Sequence, residues 1–179
     1  GRLGGGEHLA REEHAADAPR WAHFLRPPPP RFTALDDDGA EPFLFLYASF
    51  RQSYTNWVVM LRPVQLTLGS LILACKEDVK SFSALSNSSQ RELSKVVLDI
   101  ETTLKFCFDY SKINYLMLMM VDPHVHFHVF PRYEGQRVFA GTIFEDSDWP
   151  GPPEVLRKTE IKNELFISLK DEIVKNWGS

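Results

Sequence analysis

Cysteine is nearly absent: Cys75 and Cys107 stand far apart in a chain of 179 residues. That excludes a disulfide framework and a cysteine-based zinc knuckle, and it suits a reducing compartment. No apolar run approaches the ~18 residues that a membrane span requires. No block of lysine or arginine stands out, and the formal net charge is −4. Nucleic acid and membrane are therefore not expected partners. Histidine is also scarce, with six in all, and every one beyond His23 falls within five positions. The length suits one domain with a real core and not two.

Residues 1–41 differ from the remainder. Gly4-Gly5-Gly6, a mixed-charge segment, Pro27-Pro28-Pro29-Pro30 and Asp36-Asp37-Asp38-Gly39 offer little to bury, which predicts a disordered tail with a polyproline II stretch. The tail has no apolar h-region, so a secretory signal is not expected. Its arginines hint at organellar targeting, against which Glu7, Glu12, Glu13 and Asp17 argue. A cytoplasmic location is the expectation.

The folded domain is expected over residues 42–179. Phe43-Leu44-Phe45-Leu46-Tyr47 fits a short strand or a helix start. Asn56 to Leu61 reads as a strand ended by Arg62-Pro63, and Ser70 to Cys75 as its hairpin partner after Gly69. Ser86 to Ser89 are helix-start residues, and Ser89-Gln90-Arg91-Glu92 fits a capping box. Leu93, Val96, Val97, Ile100, Leu104 and Phe108 then recur at helical spacing for about six turns, a core-facing stripe. Ile113 to Val121 is nearly all apolar and predicts a central strand covered by that helix. Met117, Met119 and Met120 are expected to fill gaps in the core. Asp122-Pro123 makes a tight connection. Pro131 to Pro153 reads as a loop region in which Trp149 is a lid or a buried anchor. Ile161, Leu165, Leu169, Ile173 and Trp177 predict a closing amphipathic helix. The order predicts an α+β domain: an antiparallel sheet of about five strands, a long helix on one face and a C-terminal helix.

The chemistry concentrates in His124-Val125-His126-Phe127-His128-Val129-Phe130. Its period of two belongs to a strand with one face buried, which sends Val125, Phe127 and Val129 into a core and the three imidazoles the other way. Four readings follow. An exposed strand face is the bland one, and it fits poorly because histidine is neither a strong strand former nor a common surface filler. A metal site is the second. Alternate residues on a strand lie ~6.6 Å apart, so one metal takes two of the row at most and needs carboxylates to complete it. The third is phosphorus chemistry, in which one neutral imidazole attacks and its neighbours donate hydrogen bonds to the developing charge. The fourth is a nucleotide-binding module without turnover.

The stretch resembles the His-φ-His-φ-His-φ-φ signature of the histidine triad superfamily of nucleotide hydrolases and transferases, at all of its positions. Pro131-Arg132 is similar to the branch containing the fragile histidine triad hydrolases and their bacterial relatives. The resemblance runs from about Phe43 to Val138. It implies that His126 is the nucleophile, that His128 hydrogen-bonds the α-phosphate, and that His124 orients its neighbour. It places Ser70, Arg62, Asp122 and Arg132 about the substrate, a purine nucleotide derivative such as a diadenosine polyphosphate or an adenosine phosphoramidate. No metal ligand set and no required cofactor are implied, a divalent ion entering only with substrate phosphates. A homodimer is implied as well. The third histidine, His128, where related uridylyltransferases carry glutamine, implies hydrolysis over transfer.

Three departures accompany the match. Ser70 stands where the superfamily usually has a histidine after the hairpin glycine. Arg62 stands near the usual asparagine. The Gly-rich loop with its glutamine is cut to Asp122-Pro123, which opens the site and turns the expectation toward a simpler adenylate, such as a phosphoramidate or adenosine phosphosulfate.

Overall fold

The computed structural model describes residues 51–157 and 161–178. The tail expected over 1–41 and the element expected at 43–47 lie outside the described residues. Among the described residues, seven strands and two α-helices follow in the order β1 (Arg51–Ser53), β2 (Trp57–Leu61), β3 (Leu71–Cys75), α1 (Asn87–Phe108), β4 (Lys112–Leu116), β5 (His126–Arg132), β6 (Arg137–Phe139), β7 (Thr142–Phe144) and α2 (Asn163–Lys175). The first five strands form one antiparallel sheet in the order β1-β2-β3-β5-β4. The expected α+β architecture is therefore the one observed. No helix among the described residues is long and apolar enough to cross a membrane.

Strand alternation sorts the side chains into two layers. Trp57, Val59, Leu61, Leu71, Leu73, Val125 and Val129 pack with Val96, Ile100 and Leu104 of α1 and with Phe166, Leu169 and Ile173 of α2 in one buried cluster. Burying each such aliphatic side chain contributes about 1.5–3 kcal/mol. The Trp57 indole adds a direct tie, donating to the Ser89 carbonyl at 2.9 Å. Gly69 ends the β2–β3 connection at φ +81°, and a Cβ there would meet the Phe108 ring at 2.9 Å. Only glycine satisfies both the backbone and that close approach.

Several expectations change. The long helix starts at Asn87, within the expected helix-start residues, and its cap is Ser86 and not Ser89, the Ser86 hydroxyl accepting from Ser89 N at 3.1 Å. Glu92 makes no capping box and accepts instead from the backbone N–H groups of Thr55 and Asn56, at 3.0 and 2.5 Å, clamping the β1–β2 turn. The strand expected over Ile113–Val121 is short and lies at the sheet edge, because β4 pairs only with β5. After Leu116 the chain leaves the sheet, so residues 117–125 connect β4 to β5 in place of the tight Asp122-Pro123 connection expected. Met120 is 87% exposed and Val121 fully so, while Met119 packs on the core with φ +51°, so these methionines do not all fill core gaps. Finally, the loop expected from Pro131 to Pro153 contains the end of β5 and the hairpin β6–β7. Trp149 is half-buried there, its backbone N–H on the Asp146 carbonyl at 3.1 Å.

Candidate active site

The sheet face away from α1 carries the histidines. Register puts Val58, Ala74 and His126 in one row across the strands, and Met60, Ile72, His128 and Leu116 in the next. A third row is continued by Phe130 and Asn114 and reaches Arg62 through its N–H on the Ser70 carbonyl, at 3.0 Å. Val58, Met60, Ile72 and Ala74 form a second buried cluster on that face, in the same rows as His126 and His128. The alternation expected of residues 124–130 therefore holds for His126 and His128. His124 lies just before the strand, which starts at His126.

His124 is placed by a turn. Asp122 Oδ1 accepts from the His124 N–H at 2.9 Å and also meets the ring Nδ1 at 2.9 Å. Asp78 Oδ1 meets the other ring nitrogen at 3.0 Å. Both contacts are hydrogen bonds together only when the imidazole carries both protons. The His124 carbonyl, fixed by this clasp, lies 2.8 Å from His126 Nδ1. A carbonyl only accepts, so Nδ1 carries the proton and neutral His126 keeps its lone pair on Nε2. His126 retains 5% exposure.

The His126 and His128 rings are 5.1 Å apart, edge to face. His128 runs parallel to Phe130 at 6.2 Å, and the Arg62 guanidinium lies 5.3 Å from the centre of the same phenyl ring. Burial first, then the neighbouring His126 and Arg62, pushes His128 down to about 4, so it is neutral at ordinary pH. Burial also lowers Arg62 from its ordinary value. His128 Nδ1 and Arg62 Nη1 are buried and have no hydrogen-bond partner among the described residues.

The other residues expected about the substrate are otherwise engaged. The Ser70 hydroxyl donates to the Thr67 carbonyl at 2.7 Å and accepts from Thr67 N at 3.1 Å, closing the turn before β3. Arg132 is held by Asp146 (Nε–Oδ2 2.6 Å, Nη2–Oδ1 3.1 Å), by Asn114 at 2.8 Å and by the Gly151 carbonyl at 2.9 Å. Asp122 serves His124. Asp78 was not singled out from sequence: it lies 46 residues from His124 and no local pattern marks it. No group of three or more metal-ligating side chains occurs among the described residues.

No protein-family profile matches the chain, and no curated protein does. Solved structures do. A histidine triad protein from Sinorhizobium meliloti superposes with TM-score 0.57 at 22% identity, over 73% of this chain and 98% of that one. Histidine triad proteins from Marinobacter aquaeolei and Bradyrhizobium japonicum both give TM-score 0.59. Their identities are 20% and 16%, over 73% and 72% of this chain and 91% and 89% of theirs. The fold is that of the histidine triad proteins.

Proposed function

We propose that this chain is a nucleotidyl hydrolase of the histidine triad kind, acting at the α-phosphorus of a purine nucleotide derivative. His126 Nε2 attacks the α-phosphorus, a P–N bond forms and the bond to the departing group breaks. Neutral His128 donates a hydrogen bond to a non-bridging oxygen, and His124 positions His126 through its carbonyl. Water then cleaves the P–N bond and releases a nucleoside monophosphate. No cofactor is required by these steps, and the setting is cytoplasmic. The single observation behind the proposal is the 2.8 Å contact of His126 Nδ1 with the His124 carbonyl, which sets the tautomer that attack requires.

The test is AMP release from diadenosine tetraphosphate or an adenosine phosphoramidate, together with a trapped covalent intermediate. The expected result is turnover by the wild type, loss of at least a thousandfold in His126→Ala, and a nucleotidyl mass increase on the peptide holding His126. Equal turnover in both proteins would refute the role. The low exposure of His126 favours a second reading, a nucleotide-binding module without turnover. Binding without AMP release, equal in wild type and mutant, would establish that reading instead.

We also infer a homodimer. β4 is an edge strand, and its outer side is unpaired among the described residues. The exposed Met117, Leu118, Met120 and Val121 that follow it need cover.

A further inference from the structure

We propose that Arg62 holds an oxyanion of the substrate beyond the scissile phosphorus, so that the preferred substrates are adenylates with an anionic departing group, a phosphate or a sulfate. This rests on the catalytic reading for its chemistry and on an independent feature for its binding.

That feature is an unsatisfied cation. Arg62 has five N–H donors. Its Nη2 reaches only the Val155 carbonyl, at 3.5 Å, and its buried Nη1 has no partner among the described residues. The Phe130 ring, its centre 5.3 Å from the guanidinium carbon, supplies no oxygen acceptor. The contrast with Arg132 is direct, since that guanidinium meets a carboxylate, an amide and a carbonyl at 2.6–3.1 Å. A half-buried guanidinium with a buried, unpaired donor is costly, and a phosphate or sulfate presents oxygens that match its fork.

Position ties the cation to the histidines. His126, His128 and Phe130 follow one another along β5 with ring separations of 5.1 and 6.2 Å, and Arg62 joins at Phe130. The line starts at the nucleophile and ends at the positive charge. The chemistry of departure agrees. An amine must take up a proton as the P–N bond to it breaks, and neutral His128 has none to spare at neutral pH. A phosphate or sulfate leaves with the electron pair of the broken P–O bond on its own oxygen and needs no proton, only a cation near that oxygen.

The experiment separates binding from turnover. In His126→Ala, calorimetry with ADP and with AMP should show ADP bound at least tenfold more tightly, and His126→Ala/Arg62→Gln should lose that difference. Arg62→Lys, which keeps the charge without the fork, should retain part of it. Equal affinity for the two nucleotides, a difference that survives Arg62→Gln, or no binding of either overturns the proposal. In enzyme with His126 intact, Arg62→Gln should lower kcat/KM for adenosine phosphosulfate or diadenosine tetraphosphate at least tenfold more than for an adenosine phosphoramidate. Equal losses overturn it too. A wild type that releases no AMP while ADP still outbinds AMP through Arg62 sinks the catalytic reading and leaves the anion site standing.

Discussion

His128 gives the sharpest test of how this face is built, because its ring is half-buried and its titration is displaced. The pKa falls from 6.5 to about 4, first through burial and then through the neighbouring His126 and Arg62. In the unfolded chain the imidazole titrates near its ordinary value. Above that value it is neutral in both states and contributes nothing to the pH dependence. As pH falls through about 6.5, the unfolded chain takes up a proton that the folded chain refuses. Stability then drops by about 1.4 kcal/mol per pH unit until the folded pKa is reached. Between pH 7 and 4.5 the loss is about 2 kcal/mol, and below pH 4 it levels off near 3 kcal/mol. The perturbation is His128→Gln, which keeps polarity and removes the titration. Urea unfolding curves of both proteins across that pH range isolate the effect, because the carboxylates that also titrate are common to both. Wild type should lose about 2 kcal/mol more than the variant between pH 7 and 4.5. Parallel stability curves would refute the half-buried, uncharged ring.

Asp146→Asn should cost about 3–5 kcal/mol in urea unfolding, because it leaves the Arg132 guanidinium buried at 4% side-chain exposure without its carboxylate. Arg132→Met/Asp146→Leu should recover most of that loss, and a single-variant cost below ~1 kcal/mol would count against a tightly held pair. Sedimentation should report a dimer for the wild type and a monomer for Leu118→Asp. A wild-type monomer at tens of micromolar would dismiss the edge of β4 as an interface.

How far the sequence could be read varies by element, and for physical reasons. The period of two from His124 to Phe130 separated the core residues from the histidines, because one face of β5 meets α1 and the other does not. It could not show that Asp122 bends residues 122–124 into a turn before the strand starts, since that depends on a side chain accepting a backbone N–H. The apolar run Ile113–Val121 suggested a central strand covered on one face by the long helix, yet composition alone does not separate a central strand from an edge followed by an exposed turn. The hairpin β6–β7 was hidden because its two-residue turn is Ala140-Gly141, both at positive φ, where Asn-Gly would have announced it. At α1 the stretch Ser86 to Ser89 offers several caps, and only the fold selects Ser86. Arg62 was visible as a departure from a resemblance, but its stacking on Phe130 depends on two strands meeting through β3.

The sharper lesson lies in where this molecule leaves polar atoms unpaired. An unsatisfied buried donor or acceptor costs about 1–3 kcal/mol. Elsewhere the chain avoids that cost with care: Gln65 takes both the Gly69 and Ser70 N–H groups on its side-chain oxygen, at 2.9 and 3.0 Å, and Ser70 and Thr67 satisfy each other. Arg132 shows that the same fold can bury a guanidinium and meet its donors. Among the described residues, the two buried side-chain polar atoms left without a partner are His128 Nδ1 and Arg62 Nη1. Both side chains border one phenyl ring, that of Phe130. Indifferent packing would scatter such defects over the structure. Their meeting on the face that carries His126 argues that the fold holds them open for a ligand whose oxygens complete them.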